Sequence, residues 1–379
     1  MTPADLSRTV LHAVRRAVDE DALRAPVPAR VRVERTRPGG SGDYACAVAL
    51  QLAGPAALPA LEVARILRER VAAEPGVGRV EITGPGFLSF TLDAPAESDR
   101  AVLAAVREQG LAYGHGNALR DEIHQFHHVR EVRAAVTAQA VFRLLVAQGA
   151  RGRTTCEQAP DPDWVRLGVT VDACGPPPTP LTEIRPVPAG ATAGELLERL
   201  GPDAARWGLL RAAGHDRAAL GPELLVQGEA NPLFRVRYAH ARARALTRGA
   251  AALGFTAEAA PYGASPAGPA AHGESPAAQA APTATTAYDA AARPLLDLIA
   301  DHPGVLLAGA RHRAPDRVAR QLEAVAHAFF DFHDSCPPLP AGDEKPSAAH
   351  RARLAIAEAA GTVLAGGLSL LGIRAPEHL

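Results

Sequence analysis

Four basic side chains, Arg237, His240, Arg244 and Arg248, recur at i, i+3, i+7 and i+11 within the run Asn231–Arg248, a spacing that gathers them on one face of a helix. Guanidinium groups meet phosphate oxygens in a planar fork, so such a face can hold an anionic chain. Phe234, Tyr238, Ala241 and Ala245 repeat at i, i+4, i+7 and i+11 beside it and form the expected inward stripe. The same pattern also suits an ordinary amphipathic helix whose arginines are only solvated. Arg313, Arg317 and Arg320 raise the same pair of alternatives. Of the phenylalanines, Phe329, Phe330 and Phe332 read as core rather than as a stacking platform, because neighbours in sequence cannot share one helical face. His124, His127 and His128 could approach a metal only if their segment turned sharply, and no metal is expected there. Gly114-His-Gly116-Asn117 is glycine-rich but has no apolar run before it, which makes it a weak phosphate loop.

The elements that must position these groups follow from hydrophobic periodicity. Thr2 to Val18 reads as an amphipathic helix with Leu6, Val10, Ala13, Val14 and Ala17 inward, Val31–Arg35 as a strand, and Leu58–Ala73 as a helix. Strands near Arg79–Thr83 and Phe87–Leu92, bounded by Gly84-Pro-Gly86, complete a small α/β domain. Ser98–Gln109 reads as a helix, Ile123–His127 and Arg153–Cys156 as strands, and the chain from Ala193 onward as helical. The tract 257–287 is rich in Pro, Ala, Gly, Ser and Thr with almost no large apolar residue, the composition of a disordered insertion between helices.

Composition narrows the class. With 47% hydrophobic but 4% aromatic residues, cores must be built from Ala, Leu and Val, and a net charge of −1 leaves any basic surface local and arginine-borne. Cys46, Cys156, Cys174 and Cys336 show no zinc spacing, and the N-terminus lacks a basic-apolar leader, so a reduced, cytoplasmic setting is expected. No apolar run of membrane-spanning length is expected.

The wording of several segments carries a resemblance. Asn231-Pro-Leu-Phe-Arg-Val-Arg-Tyr-Ala-His-Ala-Arg242 resembles the NPVYYVQYAHAR run opening the anticodon-binding domain of arginyl-tRNA synthetases, and Gly201–Leu210 resembles the GPDAARYFLL segment leading into it. Pro315–Ala328, Arg351–Leu364 and Leu370–Glu377 are similar to the remaining helices and tail of that domain. Gly42–Ala53 and Gly84–Leu92 are similar to the family's N-terminal domain, which contacts the tRNA body. The resemblance implies tRNA contacts at Tyr238, His240 and Arg242, with Arg237, Arg244, Arg248 and the C-terminal Leu379 beside them. Ala47-Val48 and Gly54 replace the amide and lysine of the family's N-terminal run, so base readout by that domain is not expected.

The family's catalytic motifs do not survive between these ends. His128-Val129-Arg130-Glu131 stands at the HIGH-like position, where Arg130 replaces a glycine and Glu131 a histidine, and a carboxylate there repels ATP. The KMSKS-like position falls near Thr182–Pro186, with Arg185 its only cation, and the chain's single lysine is Lys345, far away in sequence. Residues 110–215, interrupted by Cys174-Gly-Pro-Pro-Pro-Thr-Pro180, have room for one abbreviated half of a doubly wound fold.

The expected architecture is therefore an α/β N-terminal domain (1–95), a reduced α/β remnant of a Rossmann-like core (96–215) and a C-terminal all-α anticodon-binding bundle (216–379). The expected function is a non-catalytic tRNA-binding paralogue, its partner tRNA and in particular arginine tRNA, with no cofactor, no catalytic residue, no DNA and no membrane. Two alternatives stay open: a minimal arginine–tRNA ligase using ATP through His128 and Arg185, and a protein-interaction module on the same bundle.

Overall fold

The computed structural model describes residues 3–36, 41–74, 76–92, 95–176, 182–259 and 285–379, and it divides into two compact units, residues 1–102 and 103–379. Most of the tract expected as an insertion, 260–284, lies outside the described residues.

The first unit packs helices α1 (Pro3–Asp19), α2 (Val48–Ala56) and α3 (Ala60–Ala72) with an antiparallel sheet of β1 (Val33–Arg35), β2 (Tyr44–Cys46), β3 (Val77–Thr83) and β4 (Phe87–Leu92), in the order β1-β2-β4-β3. Leu6, Val10, Ala13, Val14 and Ala17 of α1 are fully buried, as their spacing requires, against a core that includes Val63, Leu67, Leu88 and Phe90. Strand β2 and helix α2 carry too short a pattern to read locally. Gly42 (φ 75°) explains the sharp turn into β2, since any side chain would overlap the backbone of Phe90.

In the second unit, α4 (Pro95–Gln109), which begins in the first, is followed by β5 (Ile123–His128), α5 (Val132–Ala147), β6 (Arg151–Cys156), β7 (Ala173–Cys174) and β8 (Thr182–Glu183). These strands form one parallel sheet in the order β7-β6-β5-β8. That is the 3-2-1-4 start of a doubly wound sheet, but among the described residues only the β5-to-β6 crossover is a full helix. The β6-to-β7 connection carries only a 3₁₀ turn, Pro162–Leu167, and β7 and β8 are two residues each.

The rest is helical: α6 (Ala193–Arg211), α7 (Pro232–Ala252), α8 (Thr285–Arg311), α9 (Pro315–Ser335) and α10 (Ala348–Leu371). Thr192 and Glu195 close a capping box at the start of α6, and Gly201 (φ 70°) before Pro202 kinks it. Arg133 of α5 ties α6 down. Its buried guanidinium donates to the carbonyls of Leu209, Ala212 and Ala213 near the end of α6 and to those of Val187 and Asp216.

Three expectations need correction. The inward stripe of α7 is Leu233, Val236, Ala239, His240, Ala243 and Leu246; of the expected stripe only Ala241 is buried, while Phe234 and Ala245 are half-buried and Tyr238 is 43% exposed. The helix is rotated because its large aromatics pair with α9 instead of entering the core. Of the phenylalanine cluster, Phe329 and Phe332 are core, but Phe330 is half-exposed. Finally, α10 is long and apolar enough to cross a membrane by length and composition, contrary to the reading above, yet most of it is buried as the central helix of the bundle.

Candidate nucleic-acid interface

Asn231 starts α7: its Oδ1 accepts from the backbone of Leu233 and Phe234, its amide donates to Leu224 and Val226 carbonyls, and Pro232 fills the first helical position. The cap fixes the phase of every side chain that follows, and the expected contact residues fall on two flanks.

One flank faces α9. The rings of Phe234 and Tyr238 stack at 5.6 Å and 9°, and those of Tyr238 and Phe330 at 5.5 Å and 22°. Arg235 donates to Nδ1 of His327 (2.8 Å) and Arg242 to Nε2 of His333 (3.3 Å). Among the described residues no carboxylate lies within 4 Å of either guanidinium; the nearest acids sit behind the two imidazoles, Asp331 3.7 Å from His327 and Asp334 3.1 Å from His333. An aromatic row with Tyr238 exposed and the two phenylalanines half-buried, set between two such arginines, offers a stacking surface for an unpaired base with phosphate donors at its rim.

The other flank carries Arg237, Arg244 and Arg248, and acids of the same chain already hold it. Arg244 pairs with Glu377 (3.0 Å), Arg237 lies 4.0 Å from Asp203, and Arg248 reaches the Glu377 carbonyl and His378 at 3.4 Å. The C-terminal tail is thereby laid along α7, with Leu379 57% exposed at its end. His240, expected on the surface, is 5% exposed: Nδ1 is 3.1 Å from the Gly361 carbonyl, and burial pushes its pKa below the usual imidazole value. Arg320 is held by Asp316, one turn away on α9.

At the C-terminal edge of the parallel sheet, the HIGH-like residues are committed to structure. Glu131 is the N-cap of α5. One carboxylate oxygen accepts from Ala134 N–H (2.8 Å) and the other from Ala189 N–H (2.8 Å), so a carboxylate fills the helix N-terminus where a nucleotide fold would place phosphate. Arg130 donates to the Ala159 carbonyl (2.9 Å) and, through its backbone, to Glu157 (3.1 Å). His128 is 1% exposed against Trp164; its Nδ1 bonds the Val129 carbonyl, Nε2 has no partner, and burial holds it neutral. Arg185 is exposed and paired with Glu183 at 2.9 Å. His124 and His127 diverge, one to Glu122 (3.0 Å) and one to Thr155 (3.0 Å), and among the described residues no three His, Cys, Asp or Glu groups converge on a metal position.

Sequence reasoning missed Arg235, His327, Phe330 and His333, which join the interface only because α9 packs on α7. It also missed Asp203 and Glu377, whose partners lie 34 and more residues away. Arg235 was legible at i−3 of Tyr238; the others had no local signal.

Residues 5–92 match the arginyl tRNA synthetase N terminal domain and residues 236–379 the DALR anticodon binding domain. The arginine–tRNA ligase of Frankia alni is 27% identical over an alignment of 582 positions that covers both chains end to end, although this chain has only 379 residues to place in it. That of Pseudarthrobacter chlorophenolicus is 35% identical over 186 residues, 49% of this chain and 30% of that protein. Among solved structures, arginyl-tRNA synthetase from Thermus thermophilus covers the whole chain at TM-score 0.65 and 14% identity, and the Plasmodium falciparum enzyme does so at 0.61 and 8%, a likeness of fold.

Proposed function

We propose, from the premise of an arginyl-tRNA synthetase-like chain with an N-terminal and a DALR domain, that this protein binds tRNA without charging it. The observation that carries the reading is the Phe234–Tyr238–Phe330 row, with Tyr238 exposed at its centre, between Arg235 and Arg242, in a chain whose HIGH-like helix N-terminus is filled by Glu131. Tyr238 stacks on an unpaired base of the anticodon loop, Arg242 and Arg235 meet its phosphates, and the Arg237, Arg244 and Arg248 flank with Leu379 borders the bound loop. His240 acts behind the surface by holding α7 to α10 through Gly361.

The reading has no catalytic residue and no ATP step. Activation of an amino acid needs donors aimed at the developing charge on a triphosphate, and here Glu131, Arg130 and Arg185 are bound to groups of the chain itself. The test pairs filter binding of arginine tRNA and unrelated tRNAs with arginine-dependent pyrophosphate exchange. Wild type binds tRNA, Tyr238→Ala weakens binding about tenfold or more, and no exchange occurs. Exchange above background would establish the ligase alternative, and absence of tRNA binding at low salt would end the proposal.

A further inference from the structure

The second unit contains a groove of about 1400 Å³ between α5, α7, α10 and the C-terminal tail, larger than the roughly 300–1000 Å³ typical of a small-molecule site. Arg143, Arg237, Arg244 and Arg374 line it, against Glu358 and Glu377. The cations exceed the anions. Asp203, just outside the lining, serves both Arg374 (3.0 Å) and Arg237, while Glu377 serves Arg244.

Arg143 is left over. Its one hydrogen bond is to the Gly168 carbonyl at 3.3 Å, and among the described residues no carboxylate lies within 4 Å of it. Behind it lies a second guanidinium, Arg206, 1% exposed, bonded to the carbonyls of Leu371 and Leu167 and with Nη2 buried and unpartnered. The two arginines converge on Gly372, the left-handed residue (φ 73°) that ends α10 and lines the groove, where any Cβ would overlap both groups. Burial first, then the Arg143 charge, pushes the Arg206 pKa down to about 9. Two neighbouring cations, Arg143 in the groove wall without a carboxylate partner and Arg206 buried behind it with an unpartnered Nη2, are stabilised by an anion placed against the outer one.

We propose that this groove binds an extended phosphate-bearing ligand anchored by the Arg143 guanidinium, with Arg374 as the second contact and Arg206 supplying field from behind. Its anchor lies on α5, off the aromatic flank of α7, although its wall shares Arg237 and Arg244 with the flank that borders the proposed tRNA loop. The shared chemistry is a row of phosphate groups, supplied either by free polyphosphate or by a single-stranded phosphodiester chain.

The experiment is titration of the full chain at low salt with tripolyphosphate and, separately, with an unstructured oligonucleotide of about ten residues, a length matched to the several-nucleotide sites of single-strand grooves. Binding of either probe that falls about tenfold in Arg143→Gln and recovers in part in Arg143→Lys supports the site, and the probe that binds identifies the source. Tyr238→Ala leaves tripolyphosphate binding unchanged while losing tRNA. Arg374→Gln, a change on an exposed side chain, gives the same readout if the Arg143 variant unfolds. If neither probe binds, or if Arg143→Gln and Arg374→Gln bind as wild type, the inference is overturned whatever the tRNA assays show.

Discussion

His302 shows what single residues contribute beneath the interface. It is fully buried in α8, with Nδ1 2.6 Å from Gln321 Oε1 and its ring stacked on Tyr113 at 6.0 Å. Burial lowers its pKa to about 4, with the nearby His115 adding to the shift and the Gln321 bond opposing it. The folded protein therefore keeps this imidazole neutral where the unfolded chain protonates it. The unfolded state then binds more protons between about pH 6.5 and 4, so stability is complete above the upper value and falls as pH drops through the window, by roughly 3 kcal/mol in all. Urea midpoints measured from pH 7.5 to 4 should show a slope smaller by about one proton in His302→Gln than in wild type. Equal slopes would place the titration elsewhere. The same logic separates the arginines of α7: Arg235 and Arg242 rest on imidazoles and keep their field, whereas Arg237 and Arg244 face Asp203 and Glu377.

At the scale of elements, the N-terminus of α5 decides what the core can do. Its donors point to the C-terminal edge of the sheet, the place where an open parallel sheet takes a ligand. Glu131 satisfies one of them and ties in Ala189 from the segment after β8, so the chain closes its own anion site. Glu131→Ala removes the cap and that tie together and should lower stability by about 1–2 kcal/mol in urea unfolding. An unchanged midpoint would mean that the carboxylate holds nothing. Arg133, inside the same helix, uses its guanidinium on five carbonyls around the end of α6. That explains why the basic residue just after the HIGH-like position is structural here, not phosphate-binding.

For the molecule as a whole, net charge is near zero, so binding to a polyanion must come from a local patch. With two arginines that lack a direct carboxylate partner on the aromatic flank and a few paired ones beside it, the plot of log K against log salt for tRNA should have a slope of about −2 to −4. Arg242→Ala should reduce that slope by about 1, while Tyr238→Ala lowers affinity and leaves the slope alone. A slope near zero in wild type would refute an electrostatic contribution. Between the two matched domains lie the 143 residues from 93 to 235, whose described part supplies four short parallel strands with the helices α4, α5 and α6, within an alignment to the Frankia alni ligase that runs to 582 positions.

Local periodicity was enough to read α1 with its five buried positions, the strands Phe87–Leu92 and Ile123–His128, and the long helices of the bundle, because a period of 3.6 or 2 in apolar residues is imposed by the backbone itself. The residues at the HIGH-like and KMSKS-like positions were equally legible, since Arg130, Glu131, Arg185 and a single distant lysine are facts of the sequence. What the chain could not state locally was rotation and partnership. Which face of α7 turns inward depends on the docking of α9 and α10, which draws Phe234 and Tyr238 to Phe330 and sinks His240 against Gly361. Whether an arginine keeps its charge depends on acids brought from 34 to 133 residues away, as with Asp203 and Glu377. Residue type sets which contacts are possible, and only the packed structure, through distance and burial, selects among them.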